Sequence, residues 1–243
     1  AAITVKALMD LTVTQPISQH LSATLGQGFL VSLALGLYVG LRTGLLECGL
    51  PYLAALKTRL RQVTWRDAFA LGVGFGAFEA ILLGAQSFLS IAQIMLDPSI
   101  LDALPAQQRE LVVRQLSYGA WIMPAPILER AFTLVAHIFA TVLAVYAAKG
   151  AKPSLLVSSI LYKTALDACV PLLNYFAPEG SLVELYASEA YVGALAVVGA
   201  LGLVWFKRRW VDPLEAGYLA ENQARSRGSP GKSYPAEQSV PKP

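Results

Sequence analysis

Arg42, Glu47, Glu79, Glu129, Arg130, His137, Lys163 and Asp167 are ionisable residues set inside stretches that are otherwise long and apolar. A charged side chain at membrane depth is costly, so such residues are expected to pair with one another or to line a functional site. The densest group falls in residues 120–148, WIMPAPILERAFTLVAHIFATVLAVYAAK, which carry Glu129, Arg130 and His137 in their first half. Arg130 lies seven residues before His137 and Glu129 lies eight before it, spacings that return to nearly the same face of a helix. The pattern predicts a carboxylate, a guanidinium and an imidazole facing one interior. Lys163 and Asp167 are four apart and are expected to meet on one helix face. Carboxylates with an imidazole are the donors of a catalytic metal site; carboxylates with ammonium and guanidinium groups make a neutralised ion-pair network.

The elements that must position these residues follow from composition. The 243 residues are 55% hydrophobic and 14% charged, with a mean hydropathy of +0.52. A soluble domain carries about 25% charged residues. The chain therefore reads as an integral membrane protein, all-α, a polytopic bundle of about five crossings plus a short interfacial helix. Crossings are expected over residues 26–56, 67–96, 120–148, 153–176 and 190–206. Residues 1–25, with Pro16, an isolated His20 and scattered Ser and Thr, read as an extracytoplasmic lead-in, and His20 as a solvated loop residue. Residues 26–210 form the bundle, and 211–243, rich in Pro, Gly, Ser and charge, a flexible tail. AQQRELVVRQL, within the polar interval 97–119, reads as an amphipathic helix at the interface.

Local signals refine this outline. TWRD at 64–67 predicts a capped helix start, and Pro51 a kink or break. Gly26, Gly28, Gly36, Gly40, Gly44 and Gly49 mark faces where membrane helices approach closely. The glycines of GVGFGAFEAILLG (72–84) have no strand before them, so helix packing and not dinucleotide binding explains them. Cys48 and Cys169 lie in apolar segments and read as small buried hydrophobes. The net charge of +3 gathers at helix ends (Lys57, Arg59, Arg61 and Arg66; Lys149 and Lys152; Lys207, Arg208 and Arg209), which is a topology signal and gives no reason to expect nucleic acid. By the positive-inside rule the N-terminus is expected outside and the C-terminus in the cytoplasm, in a prokaryotic inner or plasma membrane. The remaining partners expected are the lipid bilayer and other membrane subunits, docked through Gly/Ala-rich helix faces.

Several of these segments together resemble a known family. GLLECGLPYLAALKTRLRQVTWRDAFALGVGFGAFEAILLG at 44–84, ILERAFTLVAH at 127–137 and LYKTALDA at 161–168 resemble, in order and spacing, the YhfC family of intramembrane metalloproteases. These are relatives of the CPBP-type prenyl-endopeptidases. The resemblance covers roughly residues 26–176 and implies a zinc site built from four motifs. Where it leads one to expect a Glu pair followed by Arg, the chain has Glu47-Cys48-Gly49-Leu50-Pro51. Where it implies a His four residues before Glu79, the chain has Phe75. Glu129, Arg130 and His137 match the third motif. In the fourth, His-x-x-x-Asp, Lys163 replaces the His and Asp167 remains.

Catalytic zinc takes about three protein ligands and a water activated by a general base. His137 is the one imidazole left in the crossings, and an ammonium at a ligand position repels a dication. The leading expectation is thus a non-catalytic structural or accessory subunit without a cofactor. Its buried polar network would comprise Arg42, Glu47, Glu79, Glu129, Arg130, His137, Lys163 and Asp167. The alternative is an active zinc-dependent intramembrane protease with divergent ligands, Glu79 and His137 on the metal and Glu47 or Glu129 as base. A proton or solute carrier, which no inverted repeat supports, and haem or pigment ligation by His137 are weaker readings.

Overall fold

A computed structural model describes residues 2–26, 28–58, 60, 63–150, 152–176 and 180–211. Arg59, Arg61 and Glu179, and the expected tail over 212–243, lie outside the described residues. Those described are helical, with no strand among them. They form α1 (Ala2–Met9), α2 (Gln15–Leu25), α3 (Phe29–Lys57), α4 (Trp65–Leu96), α5 (Ser99–Ala103), α6 (Ala106–Ser117), α7 (Pro124–Gly150), α8 (Pro153–Phe176) and α9 (Leu182–Phe206). Five helices are long and apolar enough to cross a membrane, namely α3, α4, α7, α8 and α9. Large apolar side chains point outward along them, among them Ile81 and Phe88, each 71% exposed, as in a bundle solvated by lipid tails.

α7 is the central element. Its second half, from Ala136 to Ala148, is almost wholly buried, and its alanines let neighbouring helices close in. α4 packs along α7, α3 along α8, and α7 also touches α3 and α8. The α3–α8 contact is set by Gly36, Gly40 and Gly44, four apart, which meet the carbonyls of Ala168, Thr164 and Ile160. A Cβ at Gly44 would stand 2.6 Å from Ile160 O, and one at Gly72 of α4 would stand 2.6 Å from Ile138 Cα. Gly36, Gly40, Gly44 and Gly72 are therefore used inside the bundle. Gly26, Gly28 and Gly49 have open space beside them.

Three hydroxyls within the bundle bond between helices. Ser159 Oγ donates to Ala140 O at 2.7 Å, and Tyr162 and Tyr191 hydroxyls donate to Leu195 O and Ala165 O, each at 2.8 Å. Phe139 stacks edge-on against Tyr162, with ring centroids 4.9 Å apart. From Val204 the described residues complete α9 and a wider π-type turn, Lys207–Val211, and the ring of Phe206 at the end of α9 stacks on that of Trp210 in the turn.

The expected capped start at Thr64 is present. Thr64 Oγ1 accepts from Asp67 N, and Asp67 Oδ2 accepts from Thr64 N at 2.9 Å. α6 covers AQQRELVVRQLS and buries none of its residues. Pro51 does not break α3, which runs on to Lys57. α9 begins at Leu182, eight residues before the expected crossing, because Ser181 and Glu184 cap it. Ser181 Oγ accepts from Glu184 N, and the Glu184 carboxylate accepts from Gly180 N. Residues 2–25 are helical. Met9 and Gln15 keep helical backbone on either side of the π-type turn Asp10–Thr14, so α1 and α2 make one rod. This rod runs antiparallel to α3, with Lys6 level with Glu47 and Asp10 level with Arg42.

Candidate functional site

Four helices bring ionisable side chains to one point: Glu47 on α3, Glu79 on α4, His137 on α7 and Lys163 on α8. Glu47, His137 and Lys163 are 4%, 5% and 2% exposed. The close α4–α7 approach at Gly76, where a Cβ would lie 3.1 Å from His137 Cβ, brings Glu79 to the imidazole. His137 Nε2 lies 3.0 Å from Glu79 Oε2, and His137 Nδ1 lies 3.8 Å from Glu47 Oε2. Lys163 Nζ lies 2.7 Å from Glu47 Oε2 and 3.5 Å from His137 Nε2. Both Oε2 atoms are buried and lack a well-aligned hydrogen-bond donor.

A second ammonium enters from the N-terminal rod. Lys6 Nζ pairs with Glu47 Oε1 and lies 3.4 Å from Glu79 Oε1. The Glu47 and Glu79 carboxylates supply the negative charge that offsets the burial of this ammonium. Two carboxylates thus face two ammoniums across one imidazole. Asp167 is within electrostatic reach of both lysines. Prolines accompany the two carboxylates of α3 and α8. Pro51 and Pro171 stand four residues after Glu47 and Asp167, so neither carbonyl can receive the usual helical N–H.

Other expected members do not join this cluster. Glu129 and Arg130 pair with each other, with side chains 39% and 28% exposed, so the expected common interior with His137 is not formed. The pair is near the start of α7, where neighbouring side chains can satisfy each other without entering the core. Arg42 is buried but faces the rod, where it donates to Asp10 and, at 2.9 Å, to Thr14 Oγ1. Lys163 makes its ion pair across helices with Glu47 and not along α8 with Asp167, because the buried Glu47 lies directly opposite it. Phe75 packs its ring on His137, with centroids 5.3 Å apart.

Sequence reasoning missed Lys6, Asp10 and Thr14, because a segment without an apolar run long enough to span was read as an extracytoplasmic lead-in. The available signal was charge complementarity: Lys6 and Asp10 mirror Glu47 and Arg42 at nearly equal spacing. It also missed Glu189 of α9, which is 5% exposed, has an unpartnered Oε2 and feels the charges of Glu129 and Arg130.

By spacing, Glu47, Glu79 and His137 are a candidate metal-holding group, since their ligating atoms lie within 4.8 Å of one another. The ammoniums change the fit. Lys163 Nζ stands between Glu47 and His137, and Lys6 takes the other oxygens of both carboxylates. With both lysines in place the donor set does not suit a divalent ion.

A bundle of long apolar helices with a carboxylate–imidazole cluster among them defines the class, and sequence comparison gives the family. The chain belongs to the YhfC intramembrane metalloprotease family, which its residues 2–189 match. It is 28% identical over 183 residues to a protein of Bacillus subtilis (strain 168) named "Uncharacterized membrane protein YhfC". That match covers 70% of this chain and 66% of the relative, just under two thirds of its length. No solved structure matches the chain.

Proposed function

We propose that this chain is a non-catalytic member of its family, a membrane-embedded structural or accessory subunit whose former metal centre serves as an ion-pair lock between helices. The observation that carries this reading is the Lys163 ammonium, 2.7 Å from Glu47 Oε2 and 3.5 Å from His137 Nε2, among the atoms that would bind an ion. Phe75 supports it from the other side. At both positions where the family resemblance leads one to expect imidazoles, the side chains that meet His137 are a phenyl ring and an ammonium. Neither donates a lone pair to zinc. Buried charges persist when paired, and a paired cluster can fix helix register after hydrolysis is lost.

The end of the bundle bearing Lys57, Arg66, Lys149 and Lys152 is assigned to the cytoplasm of a prokaryotic plasma membrane. On this assignment the Ala2 end of the rod points toward the cytoplasm, which revises the outward N-terminus expected from loop charges alone.

The test is the metal content of the purified chain after incubation with zinc and desalting. The reading predicts no stoichiometric zinc. One equivalent of zinc, lost in His137→Ala, overturns it. The second reading, an active zinc protease, draws on the spacing of Glu47, Glu79 and His137. It requires both lysines to leave those atoms, and it fails if Glu129→Gln and Glu47→Gln leave cleavage of membrane substrates unchanged.

A further inference from the structure

The rod formed by α1 and α2 is held to the bundle in an unusual way. α2 buries none of its residues. The ties described are polar and come at two levels: Lys6 on Glu47 and Glu79, and Asp10 with Thr14 on Arg42. The Glu47 side chain is 2% exposed and that of Glu79 12%, whereas Lys6 is 17% and Asp10 51%. At the first level the acceptors belong to the core and the cation, Lys6, is brought to them from the periphery; at the second the core supplies the cation, Arg42.

We propose that Glu47 Oε1 and Glu79 Oε1 form a seat specific for one primary alkylammonium, filled in cis by Lys6 and exchangeable for the same group from outside the chain. The two carboxylates divide their work. Their Oε2 atoms serve Lys163 and His137, while their Oε1 atoms, from different helices, face Lys6 Nζ. A primary ammonium carries three N–H donors and can satisfy both oxygens at once, whereas a quaternary ammonium carries none. Withdrawal of Lys6 leaves a buried negative charge without its partner, a standing demand for a cation. The path of the Lys6 side chain shows that an unbranched alkyl chain reaches the seat from the rod side. A free alkylamine and a lysine on another membrane helix present the same group. This inference rests on the reading of the cluster as filled by ammonium and not by metal.

The experiment is chemical rescue of the full chain carrying Lys6→Ala, with the thermal unfolding midpoint read in detergent. The midpoint falls in Lys6→Ala. Saturating n-butylammonium restores most of the loss, while tetramethylammonium and sodium chloride at equal ionic strength do not. A synthetic peptide of residues 2–25 restoring the midpoint where n-butylammonium does not assigns the seat to helix-borne lysine. Rescue by n-butylammonium assigns it to free amines as well. Glu79→Gln added to Lys6→Ala removes the rescue. If Lys6→Ala does not fold alone, folding only when purified in n-butylammonium supports the seat, and failure to fold there overturns it. No rescue by either primary amine, or equal rescue by tetramethylammonium, also overturns it. Zinc content of the unaltered chain separately decides the reading beneath, so a zinc-free chain without rescue sinks this inference alone.

Discussion

Lys163 Nζ and Glu47 Oε2 stand 2.7 Å apart, on α8 and α3, where both side chains are almost completely withdrawn from solvent. The helices that carry them meet along Gly36, Gly40 and Gly44, and the glycine contact sets the distance at which the ion pair forms. Removing one member of a buried pair strands the other charge, at about 3–5 kcal/mol. Lys163→Met and Glu47→Gln are each expected to lower stability on that scale. The double substitution is expected to be less damaging than the sum of the two. Chemical denaturation in a double-mutant cycle measures the coupling, and simple additivity would contradict the pairing.

The same helix contact yields a steric prediction. A side chain at Gly40 would drive into the carbonyl of Thr164, whereas Gly49 has nothing within 4 Å of a Cβ. Gly40→Val is expected to destabilise the bundle by about 1–3 kcal/mol, the usual scale of overpacking. Gly49→Ala is expected to be neutral or slightly stabilising. Thermal midpoints of the two variants in the same detergent decide it, and equal effects would show that α3 does not face α8 as described.

Glu129 and Arg130 make a half-exposed pair of neighbours outside the cluster. Glu129→Gln is therefore expected to change stability by less than about 1 kcal/mol, the scale of exposed ion pairs. A loss several times larger would place Glu129 in the buried network after all.

Arg42 ties the N-terminal rod to α3 through Asp10 and Thr14. Asp10→Asn removes the charge from this tie while leaving the cluster around Glu47 untouched. Faster amide hydrogen exchange confined to residues 2–25 is the expected outcome. Acceleration spread evenly over α3, α4, α7 and α8 would mean that the rod is integral to the core.

Much of the architecture was legible in the residues. The helix class, the five apolar helices, the cap at Thr64 and the α6 segment follow from composition, periodicity and local hydrogen-bonding chemistry. The site was legible only in part. Helical spacing placed Arg130 and His137 on one face, but a shared face does not decide which neighbour a long side chain reaches, and Arg130 turned to Glu129. Lys163 had Asp167 four residues on, yet a carboxylate across the helix interface won. Pro51 was read as a kink or break because its missing N–H is visible in sequence, and α3 is not broken there. Lys6 was overlooked for a related reason: hydropathy registers apolar runs long enough to span and passes over a shorter helix held by ion pairs.

The most direct test of the ammonium-filled centre is a crystal structure of the chain grown with zinc, with anomalous scattering recorded at the zinc edge. The account predicts no peak among Glu47, Glu79 and His137, and the Lys163 amine lying between Glu47 and His137. A peak coordinated by His137, with Lys163 turned away from Glu47, would contradict it.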